Sequence, residues 1–361
     1  MVISVHSIRM AHLRSDHVTP AGRTLLLLCD DKPGHYHSAE GIAHALQLVA
    51  PWEVMRIEVR RPWWASPPLL ACLVNTRRAD RFVLSSIYGL DVGALAPAHL
   101  LVSAGGDTLA ANVALARILG IPNIFYGSLR SYPIQEFSLV LNSAPERPHH
   151  PRELRFMKPS PHDPRSIPAP RAIEPGMAPR VALLIGGDSG TFRYQPSDWK
   201  LLLELIGAAH SQHGVRWLVS NSRRTPGAVS DRLQAIAAEP DGPIAQLVDV
   251  RSAGPGTLIG LLGACDGVVC TADSSSMLTE AIWLRRPVVA VRPKTWAHEL
   301  RERDYRDYLE AQGWCHECDL AECTPTDLLA KLKQLTPMSD NPRQQLARLV
   351  CEHLPSLRDH A

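Results

Sequence analysis

The chain is organised around the stretch Thr271-Ala-Asp-Ser-Ser-Ser-Met-Leu-Thr-Glu280. The apolar run before it, Gly267-Val-Val-Cys270, is typical of a buried parallel strand, and a helical pattern continues through Trp283. The next strand is predicted at Pro287-Val-Val-Ala-Val291. A strand–loop–helix–strand unit of this kind indicates an α/β fold built on a parallel sheet.

Small hydroxyl side chains open the helix of this unit. The predicted helix start contains Asp273, Ser274, Ser275 and Ser276. Free N–H groups and the positive end of the helix dipole at this position favour binding of a phosphate. Glu280 lies four residues after Ser276, so it shares that helix face about one turn, roughly 5 to 6 Å, further along. A carboxylate there can accept both hydroxyl hydrogens of a ribose. The alternative is that Asp273 is an N-cap and Glu280 a solvated helix residue.

Length and composition narrow the class of protein. A chain of 361 residues favours two domains, and a formal net charge of +2 does not indicate general nucleic-acid binding. No apolar stretch approaches the ~20 residues of a membrane helix, and the N-terminus has no secretory signal pattern. The 8 cysteines do not form a disulfide framework in a chain this long, so we predict a reducing, cytoplasmic location.

The strand–loop–helix pattern begins twice, at Thr24–Cys29 and again at Arg180–Ile185, with a Pro-rich segment between the two halves. We therefore predict two doubly wound, Rossmann-like parallel sheets that face a cleft. The predicted divisions are an N-terminal extension at 1–21, an N-terminal domain at 22–165, a linker at 166–179, a C-terminal domain at 180–338 and a C-terminal helix at 339–361.

Each predicted domain has a glycine pair after a strand, in Gly105-Gly106-Asp107 and in Gly186-Gly187-Asp188-Ser189-Gly190-Thr191. Neither loop fits G-x-G-x-x-G or the P-loop, so we exclude a nicotinamide site and a P-loop. A glycine pair lets the backbone approach a ligand closely. Ligands of such sheets lie at the C-terminal strand ends, where both loops are predicted, so Gly186, Gly187, Asp188 and Ser189 are candidate ligand contacts.

Two further motifs allow more than one interpretation. Ser222, Arg223 and Arg224 follow a predicted strand, where an arginine can hold a phosphate bidentately or flank a solvated helix. Cys315-His-Glu-Cys318, with Cys323 near it, contains half of a zinc site. A second pair of ligands is missing, so we predict no metal site and interpret these cysteines as the end of a strand.

His35 is the candidate general base because it opens a helix at the tip of the first strand. A helix N-terminus disfavours imidazolium, so the ring there can accept a proton. Asp30 or Asp31 could orient His35 or replace it, and Asp107 is a further candidate. The alternative is a surface histidine with a capping role, since the chain has 16 histidines.

Residues 60–80 mix basic and large apolar side chains. They comprise Arg60, Arg61, Trp63, Trp64, Leu69, Leu70, Leu73, Arg77 and Arg78. Arginines interleaved with tryptophans and leucines suit a membrane interface. The alternative is an irregular surface segment whose tryptophans pack inside the domain.

Four motifs in order resemble the bacterial branch of the mitochondrial-fission Elm-type family, over roughly residues 25–293. They are Asp30-Asp-Lys-Pro-Gly-His35, Leu184-Ile-Gly-Gly-Asp-Ser189, Ser222-Arg-Arg-Thr225 and Asp273-Ser-Ser-Ser-Met-Leu-Thr-Glu280. More distantly, the layout resembles GT-B glycosyltransferases, above all the membrane-peripheral N-acetylglucosaminyltransferase that makes the lipid-linked peptidoglycan precursor.

The resemblance to GT-B enzymes implies a GT-B-like fold whose C-terminal domain holds a UDP-sugar. The diphosphate would meet Ser274 to Ser276 and the ribose would meet Glu280. Gly105-Gly106 is similar to the N-terminal Gly-Gly loop of those enzymes. Pro33-Gly34-His35 departs from their Gly-Gly-His turn. The Elm-type family is functionally mixed: plant members recruit a dynamin-related protein, and bacterial members are often described as sugar epimerases.

We therefore expect a metal-independent glycosyltransferase that uses a nucleotide-diphosphate sugar as donor substrate and needs no other cofactor. The expected acceptor belongs to the cell envelope and is lipid-linked or of the lipopolysaccharide type, which would bring a cytoplasmic protein to the inner membrane surface. No nucleic-acid partner is expected. One alternative is a non-hydrolysing nucleotide-sugar epimerase, with Asp31, Asp107 and Asp188 as carboxylates on the sugar. The other is a non-catalytic adaptor.

Overall fold

A computed structural model describes residues 23–147, 149–174, 176–254 and 257–357 of the chain. The chain divides into two compact units. The first contains the described residues up to Pro161 together with those from Arg343 onward, and the second spans His162–Pro342. The predicted N-terminal extension, residues 1–21, lies outside the described residues.

The first unit is a parallel sheet covered by helices. Within its described residues the sheet has six strands in the order β2-β1-β3-β4-β5-β6. The strands are β1 (Arg23–Cys29), β2 (Trp52–Glu58), β3 (Leu100–Ala104), β4 (Asn123–Tyr126), β5 (Leu139–Asn142) and β6 (Glu153–Arg155). The helices of this unit are α1 (Pro33–Leu46), α2 (Pro67–Asn75), α3 (Asp80–Phe82) and α4 (Leu109–Leu119), with α11 (Pro342–His353) at the end of the chain.

The central strand β1 explains why this sheet forms. The side chains of its four leucines are at most 1% exposed, as expected for a strand covered on both faces: Leu25, Leu26, Leu27 and Leu28. Leu26 and Leu28 belong to the core cluster that includes Ala111, Ala114 and Leu115 of α4. β1 pairs with β2 on one side and with β3 on the other, so the loops after β1 and β3 meet at one edge. This reversal of strand order is the topological switch point where ligands of such sheets bind.

The second unit repeats the architecture. Within its described residues it has six parallel strands in the order β12-β11-β10-β7-β8-β9. The strands are β7 (Arg180–Leu184), β8 (Arg216–Ser220), β9 (Ile244–Val248), β10 (Gly267–Thr271), β11 (Val288–Arg292) and β12 (Cys315–Asp319). The helices are α5 (Pro196–His213), α6 (Gly227–Ala237), α7 (Thr257–Ala264), α8 (Ser275–Trp283), α9 (Leu300–Ala311) and α10 (Pro325–Gln334).

The stretch that organises the sequence also lies at the centre of this second sheet. β10 pairs with β11 on one side and with β7 on the other. The apolar run predicted as a buried strand, Gly267 to Cys270, is buried in the structure. Because β7 pairs next with β8, the loops that follow β7, β8 and β10 open at neighbouring positions of one sheet edge.

Helix α2 interrupts the irregular segment predicted at residues 60–80, and α3 begins at its end. Ser66 caps α2 by accepting a hydrogen bond from the backbone N–H of Leu69, and Pro67 occupies its first turn, where a missing N–H costs nothing. Leu70 is buried in the core of the first unit, whereas Trp63 is 92% exposed and Trp64 is 51% exposed. The alternative in which both tryptophans pack inside the domain is therefore wrong.

Candidate functional site

Asp273 is the centre of a hydrogen-bond network in the second unit. Its side chain is completely buried and accepts three hydrogen bonds, from the backbone N–H of Gly187 at 3.1 Å, from the Tyr194 hydroxyl at 3.0 Å and from Nη2 of Arg224 at 2.7 Å. These donors follow β7 and β8, whereas Asp273 follows β10. One carboxylate therefore joins the three loops at the switch point.

Burial and the negative charge of Asp273 raise the pKa of Tyr194. The phenol consequently stays protonated across the physiological range and acts as the donor to the carboxylate. Its ring is stacked on Trp199 of α5, with ring centroids 4.7 Å apart. Tyr194 was not among the residues predicted for the site. It follows the glycine pair by several residues in a loop without periodicity, so the sequence contains no signal that joins it to Asp273.

The glycine pair is required by close packing on both sides. A Cβ placed on Gly186 would lie 2.5 Å from Oδ1 and 2.6 Å from Cγ of Asp273, closer than real Cβ atoms approach other groups. A Cβ on Gly187 would lie 2.6 Å from the backbone carbonyl carbon of Arg224. The N–H of Gly186 donates to Oγ1 of Thr271 at 2.7 Å. The loop after β7 is therefore pressed against the residues that follow β8 and β10.

The turn after β8 is held by its hydroxyl groups. Thr225 donates to the carbonyl of Gly186 at 2.7 Å, and Ser222 donates to the same carbonyl at 3.2 Å. Arg224 is 40% exposed at its side chain, and its Nη1 donates to the hydroxyl of Ser189 at 3.2 Å. The neighbouring Arg223 is exposed and makes no ion pair within the described part of the chain.

Hydroxyl side chains lie at the start of α8, where the sequence predicts them. Ser274 is the N-cap, and its hydroxyl accepts a hydrogen bond from the N–H of Met277. Ser275 and Ser276 begin the first turn and are at least partly exposed. Helix starts with partly exposed N–H groups and hydroxyl side chains bind phosphates. Asp188, also predicted for this site, is exposed and accepts a hydrogen bond from the backbone N–H of Tyr194 at 2.9 Å.

Glu280 contacts a histidine, a pairing that the sequence did not predict. Its Oε1 lies 3.0 Å from Nε2 of His162, and the two side chains are 25% and 29% exposed. The carbonyl of His162 in turn accepts a hydrogen bond from the indole N–H of Trp283 at 2.8 Å. His162 therefore fixes the carboxylate on the face of α8 that begins with the serines. The two residues are more than one hundred positions apart, so no local pattern could join them.

In the first unit, His35 and Asp30 form a hydrogen-bonded pair at the end of β1. Nδ1 of His35 lies 2.5 Å from Oδ2 of the buried Asp30 carboxylate. A carboxylate only accepts hydrogen bonds, so Nδ1 is the donor to Asp30, and Nε2 is the nitrogen that can accept a proton when the ring is neutral. The His35 ring lies against Gly105 of the loop after β3, where a Cβ would be 2.7 Å from Cε1. Asp31, by contrast, is exposed and makes no hydrogen bond within the described residues.

Asp107 is paired with two cations. Its carboxylate accepts from Nζ of Lys32 at 2.8 Å and from Nε of Arg61 at 2.7 Å. Burial alone would raise the pKa of Asp107, but the hydrogen bonds and charges of Lys32 and Arg61 outweigh burial and lower that pKa. The carboxylate is therefore ionised and already engaged, an arrangement that suits an electrostatic role better than proton transfer.

The described residues contain neither a membrane-spanning helix nor a metal-type cluster. Among them, no helix is long and apolar enough to cross a membrane. In that same part of the chain, no cluster of three or more His, Cys, Asp or Glu side chains has the arrangement of a metal site. Cys315 is buried in β12, which Cys318 also joins, while Cys323 follows in the next turn.

The two parallel sheets, each with ligand-suited loops at a switch point, place the chain among GT-B-like α/β proteins. More particularly, the chain belongs to the mitochondrial fission ELM1 family, whose model matches residues 33–354. The expected resemblance is thereby confirmed. A search of curated proteins finds no match.

Several solved structures are similar to this chain. The UDP-GlcNAc 2-epimerase of Methanocaldococcus jannaschii superposes with a TM-score of 0.53 at 10% identity, covering 91% of this chain and 99% of that enzyme. MurG of Acinetobacter baumannii gives 0.48 at 16% identity, with coverage of 92% and 99%. The calicheamicin glycosyltransferase CalG4 gives 0.46 at 12% identity, with coverage of 94% and 96%. At 10% identity, the likeness to the epimerase shows the fold alone.

Proposed function

We propose that the second unit binds a nucleotide-diphosphate sugar and that the protein transfers this sugar to an acceptor bound by the first unit. The observation that carries the proposal is the Asp273 network, which joins three loops around the start of α8. The diphosphate would accept hydrogen bonds from the N–H groups of that helix start and from Arg224. Glu280, one turn further along α8, would accept the ribose hydroxyls.

The chemistry of transfer can be assigned to side chains of this chain. Negative charge develops on the diphosphate as the sugar leaves, and donors already aimed at that position stabilise the charge. Arg224 and the first turn of α8 would supply those donors. In the first unit, Nε2 of His35 would accept the proton of the acceptor hydroxyl while Asp30 holds the ring.

An exposed apolar surface on the first unit supports an acceptor at a membrane. Trp63, Trp64 and Leu69 are 92%, 51% and 43% exposed. Tryptophans settle at the headgroup level of a bilayer, and exposed arginines such as Arg60 and Arg78 are drawn to anionic lipid. Arg60 lies 3.9 Å from the exposed carboxylate of Glu58. Of the other predicted arginines, Arg61 is paired with Asp107 and Arg77 with Glu136. We propose reversible binding to the inner membrane surface and a lipid-linked envelope acceptor.

A second candidate function is nucleotide-sugar epimerisation on the same fold. The M. jannaschii UDP-GlcNAc 2-epimerase shares this architecture, and the exposed Asp188 carboxylate lies beside the proposed sugar-nucleotide loops. Elimination and re-addition of the nucleotide need carboxylates near the sugar. Asp107 is held by Lys32 and Arg61, which disfavours it as a mobile acid or base.

One experiment tests both functions. The protein is incubated with a radiolabelled nucleotide sugar, once alone and once with lipids extracted from bacterial membranes, and the products are separated. Transfer of label to the lipid fraction only when lipids are present supports the glycosyltransferase. Epimerised sugar or free nucleotide formed without any acceptor supports the epimerase instead. Failure to bind any nucleotide sugar would leave the non-catalytic adaptor as the better account.

A further inference from the structure

Three consecutive residues after β3 each contact a different functional group of the first unit. Gly105 lies against the imidazole of His35, Gly106 lies against the guanidinium of Arg130, and Asp107 binds Lys32 and Arg61. The loop thus collects a proton acceptor and three cations at the switch point of the sheet. The proposed function uses only His35 from this set.

Arg130 is the least explained of these groups. A Cβ on Gly106 would lie 2.5 Å from Nη2 and 2.9 Å from Nη1 of Arg130, so the guanidinium rests directly on the glycine backbone. The residue is exposed, and its backbone has a φ of 52°, a left-handed conformation that a non-glycine residue adopts at a cost. Within the described residues, no ion pair joins Arg130 to a carboxylate. A strained backbone that presents an unpaired cation beside a reactive group marks a candidate ligand contact.

None of the nearby carboxylates forms an ion pair with Arg130 within the described residues. Asp107 alone serves both Lys32 and Arg61, and the Asp30 carboxylate faces His35. Asp31 makes no ion pair with any of these cations within the part of the chain that the structure describes. Lys32 remains 55% exposed, so its ammonium group also reaches solvent.

We infer that the loop Gly105–Asp107 binds an anionic group of the acceptor, of the phosphate or diphosphate class, through Arg130 and Lys32. This inference rests on the proposed function, because it assigns the acceptor its chemical class. Successive Cα atoms are about 3.8 Å apart, so the His35 ring and the Arg130 guanidinium, each against one of two successive glycines, lie within roughly 10 Å of each other. That spacing fits a hydroxyl and a phosphate carried by neighbouring positions of one sugar.

Hydrogen–deuterium exchange with inorganic pyrophosphate as the probe tests the site. Pyrophosphate should protect peptides covering residues 100–112 in the wild-type protein. Arg130→Gly should raise the Kd for that protection about tenfold, as expected for the loss of one charge-assisted contact. Glycine adopts a φ of 52° without strain, so this variant removes the cation while preserving the turn. Arg81→Ala, an exposed arginine of α3, is the matched control and should leave the Kd unchanged.

Equal protection in Arg130→Gly and wild type, or no protection of residues 100–112 in wild type, would overturn the inference. The donor site is monitored in the same experiment through peptides covering residues 183–192. If a nucleotide sugar does not protect these peptides in the wild-type protein, the proposed function is contradicted. The effect of Arg130→Gly on the Kd of pyrophosphate still decides the anion site.

A second arm distinguishes the source of the phosphate. Geranyl diphosphate replaces pyrophosphate as the probe. Protection at tenfold or more lower concentration assigns the site to the diphosphate of a lipid, and equal concentrations assign it to a water-soluble phosphate. With either probe, Arg130→Gly should raise the Kd for protection. An unchanged Kd for both probes contradicts the anion site.

Discussion

Gly186→Ala should destabilise the second unit although it adds a single methyl group. The new Cβ would lie 2.5 Å from Oδ1 and 2.6 Å from Cγ of Asp273. The carboxylate cannot retreat without weakening its hydrogen bonds from Gly187, Tyr194 and Arg224. Gly186 and Asp273 are both enclosed, so the strain cannot be relieved by a turn of the side chain toward solvent.

The magnitude follows from these contacts. Overpacking a tight site costs about 1–3 kcal/mol, and a hydrogen bond to a charged group contributes about 1.5–3 kcal/mol. Arg224 is 40% exposed, so its ion pair is discounted to no more than ~1 kcal/mol. Allowing for partial retention of these bonds, we expect a loss of about 3 kcal/mol in the free energy of unfolding of the second unit. For a domain of this size, that loss corresponds to roughly 6–12 °C in Tm.

Gly207→Ala supplies the matched control. Gly207 lies in α5, is exposed, and a Cβ there would meet nothing within 4 Å. The same chemical change should therefore stabilise the helix by about 0.5–1 kcal/mol. Thermal and urea unfolding measure both variants. Hydrogen exchange of peptides in β7 and β10 reports on the second unit itself, because a chain of two units need not unfold in one step. A Gly186→Ala protein as stable as wild type would show that the Asp273 network tolerates the added methyl group, contrary to this prediction.

Three other predictions concern the proposed sites. Glu280→Ala should weaken nucleotide-sugar affinity, measured by calorimetry, about tenfold or more because the ribose loses a charged acceptor. His162→Gln is the control, since it retains a donor to Glu280, and unchanged affinity in Glu280→Ala would contradict the ribose assignment. His35→Ala should leave donor affinity nearly intact and reduce turnover ~10²- to 10⁴-fold in steady-state assays, and normal turnover would transfer the role of base to another group. Trp63→Ser/Trp64→Ser should abolish co-sedimentation with anionic vesicles at low salt without lowering Tm, since both rings are exposed; wild type that ignores those vesicles would contradict membrane binding.

The central α/β unit could be predicted from sequence because its signals are local. Gly267-Val-Val-Cys270 becomes β10, the serine-rich start becomes the first turn of α8, and the following apolar run becomes β11. Hydrophobic runs of strand length and a capping serine act within a few residues of each other, so no tertiary information is needed. The order of motifs also indicated the family to which the chain belongs.

Other elements carried too little local signal. β6 has three residues in a Pro-rich segment, and β9 has exposed residues in its middle, as suits an edge strand. α2 begins at two successive prolines, a pattern that by itself indicates a loop. In the structure Ser66 caps the helix and the prolines lie in its first turn. In each case, pairing or packing with distant residues decides the structure.

Some residues of the candidate site could be predicted from local sequence, and others could not. Gly186, Asp273 and Arg224 stand out because each follows a strand in a small or charged loop, and the structure brings them into contact. Tyr194 and His162 were missed because their partners are distant in sequence, and their roles follow from hydrogen bonds alone. The chemical roles proposed for all these residues stay predictions.

Binding of a nucleotide-diphosphate sugar is the most direct test of the account. A thermal-shift panel of UDP-, GDP-, ADP- and CMP-sugars is run on wild type and on Glu280→Gln, which preserves the shape of the side chain. At 100 times its dissociation constant, the correct ligand should add ~2.7 kcal/mol, or roughly 5–10 °C in Tm, to the wild-type protein. We expect one class of sugar nucleotide to produce this shift and Glu280→Gln to reduce it. A wild-type protein whose Tm responds to none of the four classes would contradict it.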